Sequence, residues 1–320
     1  SLLRRTMGCV RLVYNKALAA RTSGWYEHQE RIDYVQTSAM LTGWKQEEDL
    51  SFLNEVSSVP LQQGLRNLQK AFGNFWAGRA KYPNFKKKHQ GGSAEFTKAG
   101  FRWKDGQVFL AKCTEALPIR WSGSRPSGSP TRKARQDSRE IPQDCTPSTI
   151  TVKLDASGRW FASLLVDTNI AQLPKSDKSI GLDMGITSLI ATSNGDKIAN
   201  PKHFKQLRKK LKRVQKALSR KQKGSNNRHK ARLQVARVHA QITDARKDFL
   251  HKLTTQLVRE NQTIVVEDLA IKNMVKNHKL ALAISDASWG ELIRQLAYKC
   301  EWYGRELIKI DRWFPSTKRC

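Results

Sequence analysis

The chain has 320 residues, with 58 Lys and Arg against 28 Asp and Glu, a formal net charge of +30 at pH 7. Its 39% apolar content supports real cores and excludes a disordered basic tail, and no run approaches the ~18 apolar residues of a membrane span. So lopsided a charge favours a polyanionic partner, of which nucleic acid is the commonest. The length is a prior for two or three domains. The five cysteines (Cys9, Cys113, Cys145, Cys300 and Cys320) are scattered with no C-x-x-C pair. That usage fits reduced thiols in the cytoplasm rather than a disulfide framework.

Residues 1–90 read as helical. Segments 7–21 and 61–75 carry apolar residues at three-and-four spacing, 33–40 starts another helix, and Pro60 suits the first turn of the next. A basic, aromatic stretch follows at 79–88, ending in Lys86, Lys87 and Lys88. Its aromatics would either stack bases or pack in a Pro-containing loop. Residues 91–175 change to a β texture. Short alternating runs at 101–104, 107–110 and 149–154, then the Asp155-Ala-Ser-Gly158 turn and a partner strand from Trp160, predict a small β-barrel. Between them, about 122–147, lies a stretch rich in Ser, Gly, Pro and Arg that reads as a disordered surface loop.

From residue 176 an α/β pattern begins. Ser179-Ile-Gly-Leu-Asp-Met-Gly185 is a buried strand, 187–193 a second, and Asn194-Gly195 a hairpin turn. Thr263-Ile-Val-Val-Glu-Asp-Leu269 is another apolar strand, Ser288 and Glu291 have the spacing of a capping box opening a helix over 289–303, and 307–310 is a last strand. Residues 197–243 hold 16 Lys and Arg and no acid. Within that window Phe204, Leu207, Leu211, Val214 and Leu218 form one stripe, and Val235, Val238, Ile242, Ala245 and Phe249 a second, on either side of a Gly-Ser-Asn turn. These predict an antiparallel helical hairpin. Lys209, Lys210, Lys212, Arg213, Lys216, Arg220, Arg228, Lys230 and Arg232 mostly fall off the stripes. A solvated face usually alternates sign; sixteen like charges repel unless phosphates lie between them, so this face reads as a nucleic-acid contact.

Asp183 and Glu267 each stand in or at the end of an apolar strand. Burying an ionised carboxylate costs several kcal/mol unless a cation or donors compensate. One or two Mg²⁺ or Mn²⁺ ions shared between neighbouring strands would do so, and would suit phosphodiester hydrolysis. The alternatives are a turn-capping Asp beside Gly185 and a salt-bridged Glu at a strand end.

The motif Gly181-Leu-Asp-Met-Gly-Ile-Thr187 resembles the first catalytic motif of RuvC-type nucleases in the RNase H superfamily, and Val265-Val-Glu-Asp-Leu269 the second. With Asp248-Phe-Leu-His-Lys-Leu-Thr254, Ile284-Ser-Asp-Ala-Ser-Trp-Gly290 and Phe314-Pro-Ser-Thr-Lys-Arg-Cys320, the chain resembles the TnpB (OrfB) family. These are transposon-encoded RNA-guided DNA endonucleases related to type V CRISPR nucleases. The likeness extends upstream through Arg11-Leu-Val-Tyr-Asn-Lys16, Tyr34-Val-Gln-Thr-Ser38 and Pro83-Asn-Phe-Lys-Lys-Lys88.

The resemblance implies an α+β multidomain chain. Residues 1–90 would be a helical recognition domain, 91–175 a wedge-like β-barrel, and 176–320 a RuvC-like nuclease domain with the basic hairpin inserted. It implies that Asp183 and Glu267 bind the catalytic metals, that Tyr34 and Gln62 contact a short DNA motif beside the target, and that guide RNA and target double-stranded DNA are the partners. A separate transposase encoded alongside is a further expected partner, and the place of action is the prokaryotic nucleoid. The family's third acid and its zinc ribbon would follow Cys320, which matches the first zinc cysteine. One thiolate makes no tetrahedral zinc site, so Zn²⁺ is expected only in a full-length protein, and the chain reads as truncated at both ends. Two rival functions remain: a catalytically incomplete RNA- and DNA-binding fragment, and a transposase acting in recombination.

Overall fold

The computed structural model describes residues 2–121, 141 and 145–311. It divides into two compact units, Ser1–Thr168 and Asn169–Cys320. The first unit opens with helices α1 (Leu2–His28), α2 (Tyr34–Trp44) and α3 (Ser58–Trp76). Asp33 and Gln36 form a full capping box at the start of α2, a signal the sequence reading passed over. In α3, Leu61, Leu65, Leu68 and Phe72 make one apolar stripe that packs on Val13, Ala17 and Leu18 of α1.

Strands β1 (Gly92–Thr97), β4 (Thr149–Leu154) and β5 (Trp160–Leu165) form an antiparallel sheet in the order β1-β4-β5. Strands β2 (Phe101–Lys104) and β3 (Gln107–Leu110) make a separate hairpin across Asp105-Gly106, both at positive φ. The expected β-barrel is therefore not closed among the described residues. The alternate apolar side chains of β1 and β4 (Ala94, Phe96, Ile150 and Val152) share one core with α1 and α3, so the helices supply the covering layer that barrel closure would have given. The predicted loop at about 122–147 lies largely outside the described residues, as does Cys320.

The second unit is built on a five-stranded sheet in the order β10-β9-β6-β7-β8. Its strands are β6 (Ser179–Met184), β7 (Ser188–Thr192), β8 (Lys197–Ala199), β9 (Thr263–Glu267) and β10 (Glu306–Ile310). The β6, β9 and β10 strands run parallel, while β7 and β8 return antiparallel. Helices α4 (His203–Ser219) and α5 (Asn226–Glu260) lie between β8 and β9. After β9 come α6 (Ile271–Met274), α7 (Ala281–Ala287) and α8 (Trp289–Tyr303). Leu250, Leu253 and Leu257 of α5 and Leu292 and Leu296 of α8 bury the sheet face made by Ile180, Leu182, Ile264 and Val266.

The turn from β6 to β7 is tight. A Cβ on Gly185 would stand 2.8 Å from the Ser188 carbonyl oxygen, so glycine is what the strand ending requires. The α8 bounds agree with the sequence, but its predicted capping box does not form. Ser288 is at φ 56°, closing α7 as it opens α8, and its hydroxyl donates to the Ser285 carbonyl (3.1 Å). Glu291 turns instead to Arg294 and Gln295. Among the described residues no helix is long and apolar enough to cross a membrane.

Candidate functional site

Strand pairing brings the two sequence-predicted acids together. In the parallel β6–β9 ladder Leu182 pairs with Val266, so the next residues, Asp183 and Glu267, stand side by side at the carboxyl ends of adjacent strands. Because side chains alternate, Leu182 and Val266 enter the core while Asp183 and Glu267 share the opposite face. This corrects the burial argument. Asp183 is exposed and Glu267 half-buried, so the cost of a buried charge is not what makes them notable. What remains is two carboxylates on one face, at the carboxyl ends of two central strands. The donors are hard oxygens of the kind Mg²⁺ takes. Among the described residues no group of three or more His, Cys, Asp or Glu side chains comes together as a metal cluster.

The helical hairpin forms as its stripes predict. Leu211, Val238 and Ile242 are its buried residues, with Phe204, Leu207, Val214 and Val235 packed around them. Its base is fastened by Asp286 of α7, whose Oδ1 accepts from the Phe204 amide (3.0 Å) and from Arg246 Nη2 (2.9 Å). Burial holds the nearby His203 imidazole below its usual pKa, while Asp286 pulls it the other way. Lys209, Lys210, Lys212, Arg213, Lys216, Arg220 and Lys230 are all exposed, a continuous supply of cations on a two-helix arm. Two predicted contacts are committed to the protein itself. Arg228 Nη1 donates to the carbonyls of Leu218 (3.2 Å) and Lys221 (2.8 Å), satisfying the end of α4. Arg232 is half-buried and bonds His229 (2.7 Å).

In the first unit, Tyr34 sits half-buried in the first turn of α2 and Gln62 is exposed on α3. One helical turn past Gln62, the Arg66 guanidinium lies 5.0 Å from the Tyr34 ring centroid, a contact with no local sequence signal. The aromatic stretch at 79–88 divides. Tyr82 packs edge-on against Phe72 and Phe75 and bonds Thr22 Oγ1 (2.9 Å), whereas Phe85 remains 53% exposed. Lys87 and Lys88 are exposed, and Lys86 carries its ammonium 4.0 Å from the Tyr14 ring centroid. Desolvation there pushes the Lys86 pKa down.

A mixed α/β chain with an open pair of strand-end acids and an acid-free basic arm is the class that fold and site define. Family comparison makes it specific. A model described as "Probable transposase" (OrfB) matches residues 159–278, a "Cas12f1-like, TNB domain" matches 289–320, and a "Helix-turn-helix domain" matches 1–30. A protein of Streptomyces pristinaespiralis named "Putative RNA-guided DNA endonuclease" is 56% identical over 319 residues, covering 99% of this chain and 75% of its own length. InsQ of Escherichia coli K12, named in the same words, is 30% identical over 335 residues, 99% of this chain and 78% of its own. The chain belongs to the OrfB (TnpB) family. Among solved structures, Cas12f1 in its complex with guide RNA and target DNA superposes with a TM-score of 0.55 at 14% identity, covering 97% of this chain and 72% of that one, which shows a shared fold.

Proposed function

We propose that this chain is an RNA-guided, Mg²⁺-dependent DNA endonuclease tied to transposition, acting at the nucleoid. The observation that carries the reading is the pairing register that sets Asp183 beside Glu267 at the ends of adjacent parallel strands, in a chain of this family. Those two carboxylates would hold the metal, which in such sites activates water and steadies the leaving oxygen of a phosphodiester. The chain's own contribution would be to hold the two acids at the ends of adjacent parallel strands of one sheet. The exposed cations of the hairpin would bind guide RNA or the RNA–DNA duplex through backbone phosphates, while base pairing selects the target. Residues 1–90 would serve as recognition domain and 91–175 as wedge, with Tyr34 and Gln62, and Arg66 between them, at the flanking DNA motif.

The experiment is guided cleavage of plasmid DNA by the chain with its guide RNA, in Mg²⁺ and in EDTA. Cutting that needs Mg²⁺ and is lost in Asp183→Ala supports the reading; cutting by Asp183→Ala at the wild-type rate contradicts it. Two other readings have a specific observation behind them. That the described residues assemble two strand-end acids without a larger metal cluster favours RNA-dependent DNA binding that survives EDTA without cleavage. The family description as a transposase favours strand joining, which the same assay scores as ligated product.

A further inference from the structure

A second cationic feature, in the first unit, is concave. Arg11 of α1, Lys86 and Lys87 ahead of β1, Ser93 in β1 and Lys153 of β4 line a cavity of about 200 Å³. These residues are far apart in sequence, and three local devices bring them together. Ser93 and Lys153 are direct cross-strand partners. Gly91, at φ 87°, lies so close to β4 that a Cβ would stand 2.1 Å from the Leu154 carbonyl oxygen, so the chain enters β1 only because that residue is glycine. Asn15 then clamps the Lys86 backbone from both sides, its Oδ1 accepting from the amide (2.9 Å) and its Nδ2 donating to the carbonyl (3.0 Å).

Four cationic residues, Arg11, Lys86, Lys87 and Lys153, thus line one cavity with no acid among its lining residues. Among the described residues none of the four pairs with a carboxylate, and Glu95, two residues past Ser93, accepts from Asn67 (3.4 Å) instead. Like charges gathered around one cavity repel, and the Lys86 ammonium stands over the Tyr14 ring. A compact dianion or a phosphodiester relieves that repulsion.

We propose that this cavity seats a single phosphate of a bound nucleic-acid strand, with Arg11, Lys86 and Lys153 as its charged donors. The proposal rests on the nucleic-acid reading above and adds to it a discrete, built position where the hairpin offers a diffuse field.

The test is fluorescence anisotropy on the full chain across a KCl series, with a labelled single-stranded RNA and a labelled DNA duplex as separate probes. Lys86→Met removes the charge and keeps an unbranched side chain of similar length. It should weaken one of the probes about tenfold and lower the salt slope by about 0.7 for RNA or about 0.9 for duplex DNA. Adding Lys153→Met should lower the slope little further, because both side chains serve one phosphate, and Lys86→Arg should restore binding. Ser93→Glu, which places a carboxylate in the cavity, should reproduce the loss. Slope losses that add residue by residue would make the cavity part of a general field and overturn the seat, as would wild-type affinity in Lys86→Met. Saturable binding of inorganic phosphate with no effect of the variants on either probe would assign the cavity to a free anion and overturn it too. A wild-type chain that binds neither probe contradicts the underlying nucleic-acid reading as well.

Discussion

The sheet and the hairpin of the second unit both form around patterned apolar residues and bury very different amounts with them. Around the sheet, Ile190, Ile264, Leu292 and Leu296 are fully enclosed between strands and the α5 and α8 helices. The hairpin encloses only Leu211, Val238 and Ile242, since two helices meeting along one stripe leave most of each surface to water. That solvated surface carries most of the acid-free run of 16 cations. On the proposed reading stability and polyanion binding are separated within one unit, and no cation of the arm needs to be desolvated into a core.

The separation can be broken in several places. The largest effect is expected at the acids. Asp183→Ala should cut guided cleavage by at least about a hundredfold and leave the melting temperature unchanged, because the side chain is exposed. Next comes packing. Leu292→Ala, in the sheet core, should cost about 2–5 kcal/mol in denaturant unfolding. Leu211→Ala should cost less than Leu292→Ala, because the thin arm can close over the lost volume. Equal costs would make the arm part of one cooperative core.

Within the arm, Lys209→Ala and Lys212→Ala should each lower the salt slope of RNA binding by about 0.7 with stability unchanged. Arg228→Ala should do the reverse, losing roughly 1 kcal/mol of stability through the two carbonyls it satisfies, with little change in slope. The smallest effect concerns Glu291. Hydrogen bonds from Arg294 pull its pKa from 4.5 down to about 2. A depressed carboxylate stabilises the fold above its unfolded pKa and loses that contribution as pH falls from 4.5 towards about 2. Glu291→Gln should flatten that part of the acid-unfolding curve.

Much of this was legible in the sequence, and the exceptions share a cause. Apolar runs placed β6 and β9 and three-four spacing placed α3 and the hairpin, because those patterns follow from which face a residue must hide, while α8 was found from a capping box that does not form. Strand alternation was misapplied to Asp183. An acid in an apolar strand is spared burial when its two neighbours take the core face, and Leu182 and Met184 do. Among the described residues the barrel does not close, and the cover for β1 and β4 comes from α1 and α3, a tertiary arrangement with no local signal. Arg228 was read as a free surface cation because a helix-end carbonyl is invisible until the turn geometry is known. Lys86 and Lys87 stood out as cations in the sequence, but their meeting with Lys153 had no signal, since only the β1–β4 register brings Lys153 opposite Ser93.

The central claim is that metal chemistry and guide binding reside in different parts of the second unit. It is tested most directly by measuring guide-RNA affinity and guided DNA cleavage in the same preparations of wild type, Asp183→Ala and the Lys209→Ala/Lys212→Ala double variant. The account predicts full RNA affinity with no cleavage for the acid variant, and weakened, more salt-resistant RNA binding for the lysine variant. An Asp183→Ala protein that still cuts, or a lysine variant that binds RNA with wild-type affinity and salt slope, would contradict it.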